Sequence, residues 1–327
     1  MLDTQVINIS TRCSKTSLCT SHIDYRVHMD QLTLTGTLAE RKRDVTQRCA
    51  QASARVGGNP ILFGMTTALE LQEIALPTRY SASDTVLHTV ASTPSRRIVT
   101  VDGTLCAHVW KPISTDATAV VYINRTVCAL HPFHVWAQLA RHLALDELIT
   151  LGDSVLSACA QPPSVLAEFI NKIRGFAGRT ACLQALPHIR AGVASPMESR
   201  ARLAVTQHGI PNPEINYIVR GEKFASGANM TLDLAWPHCR VAVEYDGDHH
   251  RTDKTQWRRD QEKRERLRSH GWIVIIITAD DLCDNAHRAE FAFRVARYLI
   301  ERGAQFQFHP VATPLESKVP HSRLITL

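Results

Sequence analysis

Apolar and polar positions alternate most clearly in residues 231–250, TLDLAWPHCRVAVEYDGDHH, and this pattern predicts a β-hairpin. The strands are LDL and VAVEYD, in which successive side chains point to opposite faces. The larger apolar side chains share one face, whereas Asp233, Glu244 and Asp246 share the other. The hairpin is therefore predicted to have a core face and an acidic face.

The length of the turn decides how close the acids come. If Pro237 and His238 form a two-residue turn, Asp233 lies diagonal to Glu244. If the turn covers residues 237–240, the two acids lie directly opposite, about 4.5–5.5 Å apart at Cβ. Both turns bring the carboxylates into one patch.

Like charges across a strand pair are destabilising and raise one another's pKa, so the patch predicts a bound cation. Oxygen ligands without a nearby thiolate favour Mg²⁺ or Mn²⁺, with Asp233, Glu244 and Asp246 as ligands. The alternative is an ordinary solvent-exposed hairpin face. Asp246 and Gly247 also fit a simple turn.

The flanking segments predict the order αβββαβ around a mixed sheet. Ser195, Pro196 and Glu198 fit the N-cap, first position and capping box of a helix, and the capping box alone explains Glu198. The apolar run in the fourth strand predicts a strand buried on both faces. The predicted segments are a helix to about residue 207, strands 214–219, 228–235 and 240–245, a helix 255–270, a strand 272–278 and a closing helix 286–302.

The first half of the chain predicts a smaller mixed α/β domain. Its predicted helices are one within 61–76, entered near Thr66 and stopped before Pro77, and 134–142, 145–159 and 166–177. Its predicted strands are 98–101, 106–110 and 119–123. At about 150 residues per domain, 327 residues predict two domains. The predicted divisions are a polar segment 1–56, partly disordered or a small helical module, an accessory domain 57–190, a domain 191–303 and a loose tail 304–327.

Composition says little about nucleic-acid binding, because a net charge of +6 over 327 residues is only a mild excess of basic residues. Nine cysteines without a C-x-x-C pair fit neither a zinc site nor a disulfide framework and indicate reduced thiols. No basic, apolar leader and no run of 18 apolar residues occur. We therefore expect a cytoplasmic protein without a membrane partner.

Residues 195–302 resemble the Vsr-like branch of the PD-(D/E)xK endonuclease superfamily, a group formerly described as a domain of unknown function. The motifs SPMES, LDLAWP, VEYDGDHH and GWIVIIITADDL carry the resemblance. It implies a restriction-endonuclease-like fold and metal-dependent hydrolysis of DNA phosphodiester bonds, by an endonuclease or a nickase. Asp233 and Glu244 would hold the ion, with Asp246 and Glu198 as supporting acids.

The superfamily pattern has a lysine two residues after the second acid, where this chain has Asp246. Either Asp246 is a further metal ligand, or a basic group arrives from His249, His250 or Lys263. The acid-x-D-G-x-x-H pattern of the resembling proteins favours His250, and a histidine with a pKa of about 6.5 suits general base catalysis.

The predicted helix after the hairpin is rich in basic residues. Arg258, Arg259, Lys263 and Arg264 would contact DNA phosphates beside the acids. The alternative is a solvated helix with i,i+4 pairs, from Asp260 to Arg264 and from Glu262 to Arg266.

In the first half, LFGMTTALELQEIALP and HVWAQLARHLALDELITLGDSVL resemble the linker region of AbiEi-type antitoxin relatives. Such antitoxins bind DNA through a winged helix-turn-helix, which cannot be traced in residues 1–56. A non-cleaving, antitoxin-like DNA-binding protein is therefore the alternative function, favoured by the missing lysine. A protein-interaction module that does not bind nucleic acid is a third. His131 and His134 are not assigned as metal ligands.

Overall fold

The computed structural model describes residues 34–57, 60–80, 86–98, 100, 103–224, 227–247 and 254–318. Side chains of residues 34–35, 254–260 and 318 are not described. Within these ranges the chain is mixed α/β with two mixed sheets, which confirms the predicted fold class. No helix in the described ranges is both long enough and apolar enough to cross a bilayer.

The first sheet has five strands in the order β3-β2-β1-β5-β4. The β1/β5 and β2/β3 pairs are parallel, and the β1/β2 and β4/β5 pairs are antiparallel. The elements of this half are α1 (Leu34–Arg55), β1 (Ile61–Phe63), α2 (Met65–Leu71), β2 (Leu87–Ala91), β3 (Leu105–Val109), β4 (Val120–Tyr122), β5 (Val127–Leu130), α3 (Pro132–Leu139), α4 (Leu145–Cys159), α5 (Pro163–Lys172) and α6 (Arg179–Ala185).

The first half differs from the predictions at two places. Residues 61–63 form the central strand β1, which was not predicted, and the helix begins at Met65, close to the predicted entry near Thr66. Ile61 and Phe63 are buried between two neighbouring strands, and this pairing with distant segments overrides the local helical pattern. Ile98 and Thr100 are not in a strand, whereas β2 and β5 form without having been predicted.

Helix α1 lies within the segment predicted to be polar and partly disordered. Val45 and Cys49 are buried in the same core as β1 and β5. The helical alternative therefore holds for residues 34–55. Residues 1–33 lie outside the described part.

The second sheet has four strands in the order β6-β7-β8-β9, antiparallel except for the parallel β8/β9 pair. Its elements follow the predicted order αβββαβ with a closing helix. They are α7 (Pro196–Gln207), β6 (Glu214–Lys223), β7 (Asn229–Trp236), β8 (Val241–Tyr245), α8 (Lys254–Ser269), β9 (Ile273–Ile277) and α9 (Asn285–Glu301).

Helices cover both faces of this sheet. On one face α7 and α9 pack against Leu234, Val241 and Val243. On the other face Leu267 of α8 packs against Ala235 and Ala242. The prediction of one core face and one purely acidic face is therefore wrong, because the small alanines leave room for a covering helix.

Strand β9 lies at the edge of this sheet, beside β8 alone. Ile277 is fully buried and Ile275 is 7% exposed, whereas Ile273, Val274 and Ile276 are half-buried. The predicted apolar strand is present in a mixed sheet. Burial is incomplete because an edge strand has a neighbour on one side only.

The chain after α9, predicted to be loose, is packed as far as Leu315. His309 N donates to His208 O at 2.9 Å, and Thr313 N donates to Gln207 O at 2.8 Å. Leu315 is 4% exposed and belongs to the core of the first sheet. The segment is irregular but held against the end of α7.

A buried carboxylate joins α4 of the first half to α7 of the second. Asp153, which is fully buried, accepts hydrogen bonds from Arg190 N, Ser199 Oγ and Arg202 Nη2, each at 2.7 Å. Arg202 is 2% exposed. Burial raises the pKa of Asp153, and the Arg202 charge and the three donors oppose that rise.

Candidate active site

The turn of the acidic hairpin has four residues, so the second predicted geometry is the one that occurs. Trp236 pairs with Val241, and Leu234 pairs with Val243. Arg240, the last turn residue, has φ of 50° in the left-handed region. Extending the same register by one pair places Asp233 across from Glu244.

Asp233 is held from the neighbouring strand. Its Oδ2 accepts a hydrogen bond from Tyr245 N at 2.9 Å. Burial raises the pKa of Asp233, while this hydrogen bond and the positive charge of Lys263 act in the opposite direction. The carboxylate therefore lies next to β8 in surroundings that favour additional positive charge.

Lys263 of α8 forms an ion pair with Glu244, its Nζ donating to Oε1. Both side chains are 15% exposed. Lys263 lies one turn before Leu267, on the helix face that packs on the sheet. The helix thus supplies a cation to the second acid of the hairpin.

Glu198 enters the site from the first turn of α7. Its backbone N donates to the Ser195 side chain at 3.3 Å, and its Oε2 accepts from Ala194 N at 3.0 Å, which modifies the predicted capping box by one residue. Glu198 is 6% exposed. Burial and, to a smaller extent, the charge of Asp233 raise the pKa of Glu198 to about 7. This carboxyl group exchanges protons near neutral pH.

The structure corrects the argument that the acid patch needs a metal ion for charge balance. The ammonium of Lys263 neutralises Glu244, and the raised pKa of Glu198 allows it to be partly protonated. Among the described residues, the acid patch holds no three carboxylates whose oxygens all lie within 4.8 Å of one another. Lys263 therefore accounts for part of the charge balance assigned to a metal.

The remaining predicted site residues have different outcomes. Asp246 continues the β8/β9 ladder, its N donating to Ile277 O at 2.8 Å, and it is half-buried. His249 and His250 lie outside the described residues, so the predicted base His250 stays a prediction. Of the three proposed sources of a basic group, Lys263 is the one whose position the structure describes at Glu244.

The structure describes only some of the side chains predicted to bind DNA. Arg258 and Arg259 are on α8, but their side chains are outside the described part. Lys263 points to Glu244, and Arg264 is half-buried. The predicted Glu262 to Arg266 pair is confirmed at 3.3 Å. DNA contact by these residues remains a prediction.

Sequence reasoning missed a group of possible metal ligands in the first sheet. His88, Cys106 and His108 each offer a ligand atom, and these atoms lie within 4.8 Å of one another. The available signal was Cys106 and His108, two apart on a predicted strand and so on one face. By contrast, His134 accepts from Trp110 Nε1 and contacts Asp116 Oδ2, both at 3.0 Å, so both of its ring nitrogens are engaged.

No protein-family model matches the chain, and no solved structure matches it. The chain is similar to uncharacterized proteins from two strains of Mycobacterium tuberculosis, each 30% identical over 171 residues. The match covers 52% of this chain and 61% of each relative, so the chain spans about three fifths of the relatives' length.

Proposed function

We propose that the chain is a metal-dependent enzyme that hydrolyses phosphodiester bonds in DNA, as an endonuclease or a nickase. The observation that carries the proposal is the contact of Lys263 with Glu244, beside Asp233. The resembling superfamily combines two acids with a lysine, and here α8 supplies the lysine. Asp246 in the usual lysine position therefore does not remove the cation from the site.

The donor chemistry fits Mg²⁺ or Mn²⁺. Asp233 and Glu244 would hold the ion, with Asp246 as the predicted third ligand, because these divalent ions prefer carboxylate oxygens. Burial raises the pKa of Asp233 and, together with the charge of Asp233, that of Glu198, so a bound cation would neutralise acids that share a buried cluster. A bound ion supplies polarisation of the phosphate and activation of water.

The side chains of the chain would divide the other tasks. Lys263 positions Glu244 and places a positive charge where negative charge develops on the phosphate. Glu198, with a pKa of about 7, takes up or releases a proton near neutral pH. Arg258, Arg259 and Arg264 of α8 would bind the DNA backbone, which makes affinity depend on salt concentration.

The test is nicking or linearisation of supercoiled plasmid by the purified full chain with Mg²⁺ or Mn²⁺. The variants are Asp233→Asn, Glu244→Gln and Lys263→Met. We expect each to lower the cleavage rate by about 10²–10³-fold, the usual cost of removing one group that stabilises the transition state electrostatically. Arg268→Ala is the matched control, because Arg268 is an exposed basic residue on the same helix.

The alternative is a non-cleaving DNA-binding or antitoxin-like regulator. It is favoured by Asp246 in the lysine position and by the lack of three converging acid oxygens in the described part of the patch. Salt-dependent DNA binding without cleavage by the wild type would establish this alternative and refute the nuclease. Equal cleavage by Lys263→Met and Arg268→Ala would refute the role of Lys263. We retain the cytoplasm as the proposed location, because the seven described cysteines are free of disulfides.

A further inference from the structure

The parallel strands β2 and β3 bring three ligand side chains onto one face of the first sheet. The two strands pair over five residues, with His88 opposite Cys106 and Val90 opposite His108. Cys106 and His108 are two apart on β3, so their side chains share the face on which His88 lies. Regular strands hold ligands more precisely than loops do.

The distances suit a tetrahedral metal. Nδ1 of His88 and Nε2 of His108 are 3.0 Å apart. Two nitrogens bound at about 2.0–2.1 Å to a tetrahedral Zn²⁺ are about 3.3–3.4 Å apart. The two ring nitrogens therefore need to move apart by only a few tenths of an ångström to bind the ion. The sulfur of Cys106 lies within 4.8 Å of one ring nitrogen of each histidine.

The surroundings also suit metal binding. His88 and His108 are half-buried, so neither imidazole is sealed inside the core. Cys106 is exposed, and His108 lines a cavity of about 400 Å³ with Arg141 and His142. An ion can therefore reach the group.

A second group, Cys283, Asp284 and His287, has similar spacing but an ordinary explanation. Asp284 is the N-cap of α9 and accepts from both N and Nδ1 of His287 at 2.9 Å. All three side chains are exposed. This second group therefore serves as the control for the first.

We propose that His88, Cys106 and His108 form a Zn²⁺ site that ties the edge strand β3 to β2 and leaves a fourth position for water. One thiolate and two imidazoles select Zn²⁺ over Mg²⁺, which prefers oxygen ligands. This site is chemically distinct from the acid site of the second sheet. It does not depend on the proposed nuclease activity.

The test uses metal-free full-length chain titrated with Co²⁺ as a spectroscopic substitute for Zn²⁺. We expect one equivalent to produce a thiolate-to-cobalt charge-transfer band that Zn²⁺ displaces. Cys106→Ser should abolish the band, and Cys283→Ser should retain it. Loss of an outer-shell partner already costs about 10–100-fold in affinity, so His108→Gln should weaken Zn²⁺ binding by at least about 100-fold.

A thermal-unfolding measurement keeps the result independent of folding defects. Zn²⁺ should raise the Tm of the wild type and of Cys283→Ser, but not that of Cys106→Ser. A folded Cys106→Ser variant that retains the cobalt band would overturn the proposal. So would a wild type that gives no band, or a band that disappears in Cys283→Ser.

Discussion

Two buried carboxylates near α7 have opposite surroundings. Asp153 receives three hydrogen bonds, one of them from a buried guanidinium. Glu198, one residue before Ser199, receives hydrogen bonds to its carboxyl group from Ala194 N and from the Ser195 side chain, and has Asp233 as a charged neighbour. Burial raises the pKa of both carboxyl groups. At Asp153 the buried guanidinium of Arg202 opposes that rise, whereas at Glu198 the charge of Asp233 adds to it. The same burial therefore has different consequences beside a cation and beside a second acid.

The largest effect is expected from Asp153→Ala. Its removal leaves Arg202, 2% exposed, without its counterion, and breaking a buried ion pair on one side costs about 3–5 kcal/mol of unfolding free energy. Denaturant unfolding monitored by circular dichroism measures the change. Glu290→Ala is the control, because Glu290 is exposed on α9. A cost below about 1 kcal/mol would contradict the structural role of Asp153.

Glu198→Gln should raise the free energy of unfolding, by less than Asp153→Ala lowers it, and the gain should depend on pH. The pKa of Glu198 is about 7 in the folded chain, against its ordinary value of 4.5. Between pH 4.5 and pH 7 the carboxyl group of Glu198 is mostly protonated in the folded state and mostly ionised in the unfolded state. Because the folded state binds more protons, the free energy of unfolding of the wild type falls as pH rises through this range. Gln cannot ionise, and its oxygen can still accept from Ala194 N. Above pH 7 the variant should be more stable by up to about 3 kcal/mol.

Unfolding in EDTA at pH 5 and pH 8.5 tests this expectation without competition from divalent ions. The two proteins should have similar stability at pH 5 and diverge at pH 8.5. A variant less stable than the wild type at pH 8.5 would mean that the surroundings of Glu198 stabilise its anionic form. The proposed contrast between the two carboxylates would then fail.

The smallest effect is expected from Ser199→Ala. Asp153 loses one of its three donors but keeps Arg190 N and Arg202. A hydrogen bond to a charged group that leaves the acceptor still paired should cost about 1–2 kcal/mol. Denaturant unfolding of Ser199→Ala beside Asp153→Ala measures this step. A cost as large as that of Asp153→Ala would indicate that Ser199 is required to position the ion pair.

The sequence predicted the second sheet well because local patterns determine its elements. The predicted helix ending at Gln207 and the strands around Asp233 and Glu244 all form. The turn length stayed open because both turns fit the same alternation, and the register of β7 and β8 decides between them.

Long-range packing explains what the sequence did not predict. Lys263 was one of three possible basic groups, because its position depends on how α8 crosses the sheet. The group of His88, Cys106 and His108 was missed because β2 was not predicted and its parallel pairing with β3 is non-local. The pKa of Glu198 likewise depends on burial that no local pattern encodes.

The hydrogen bonds between Asp153 and α7 also make the second half of the chain depend on the first. The helix that contributes Glu198 to the acid cluster is the helix whose Ser199 and Arg202 depend on a carboxylate from the first half. A fragment that began near residue 191 would contain the buried Arg202 but not its counterion Asp153. Grafting the second half onto another protein therefore requires either taking α4 with it or replacing Arg202 by an apolar side chain.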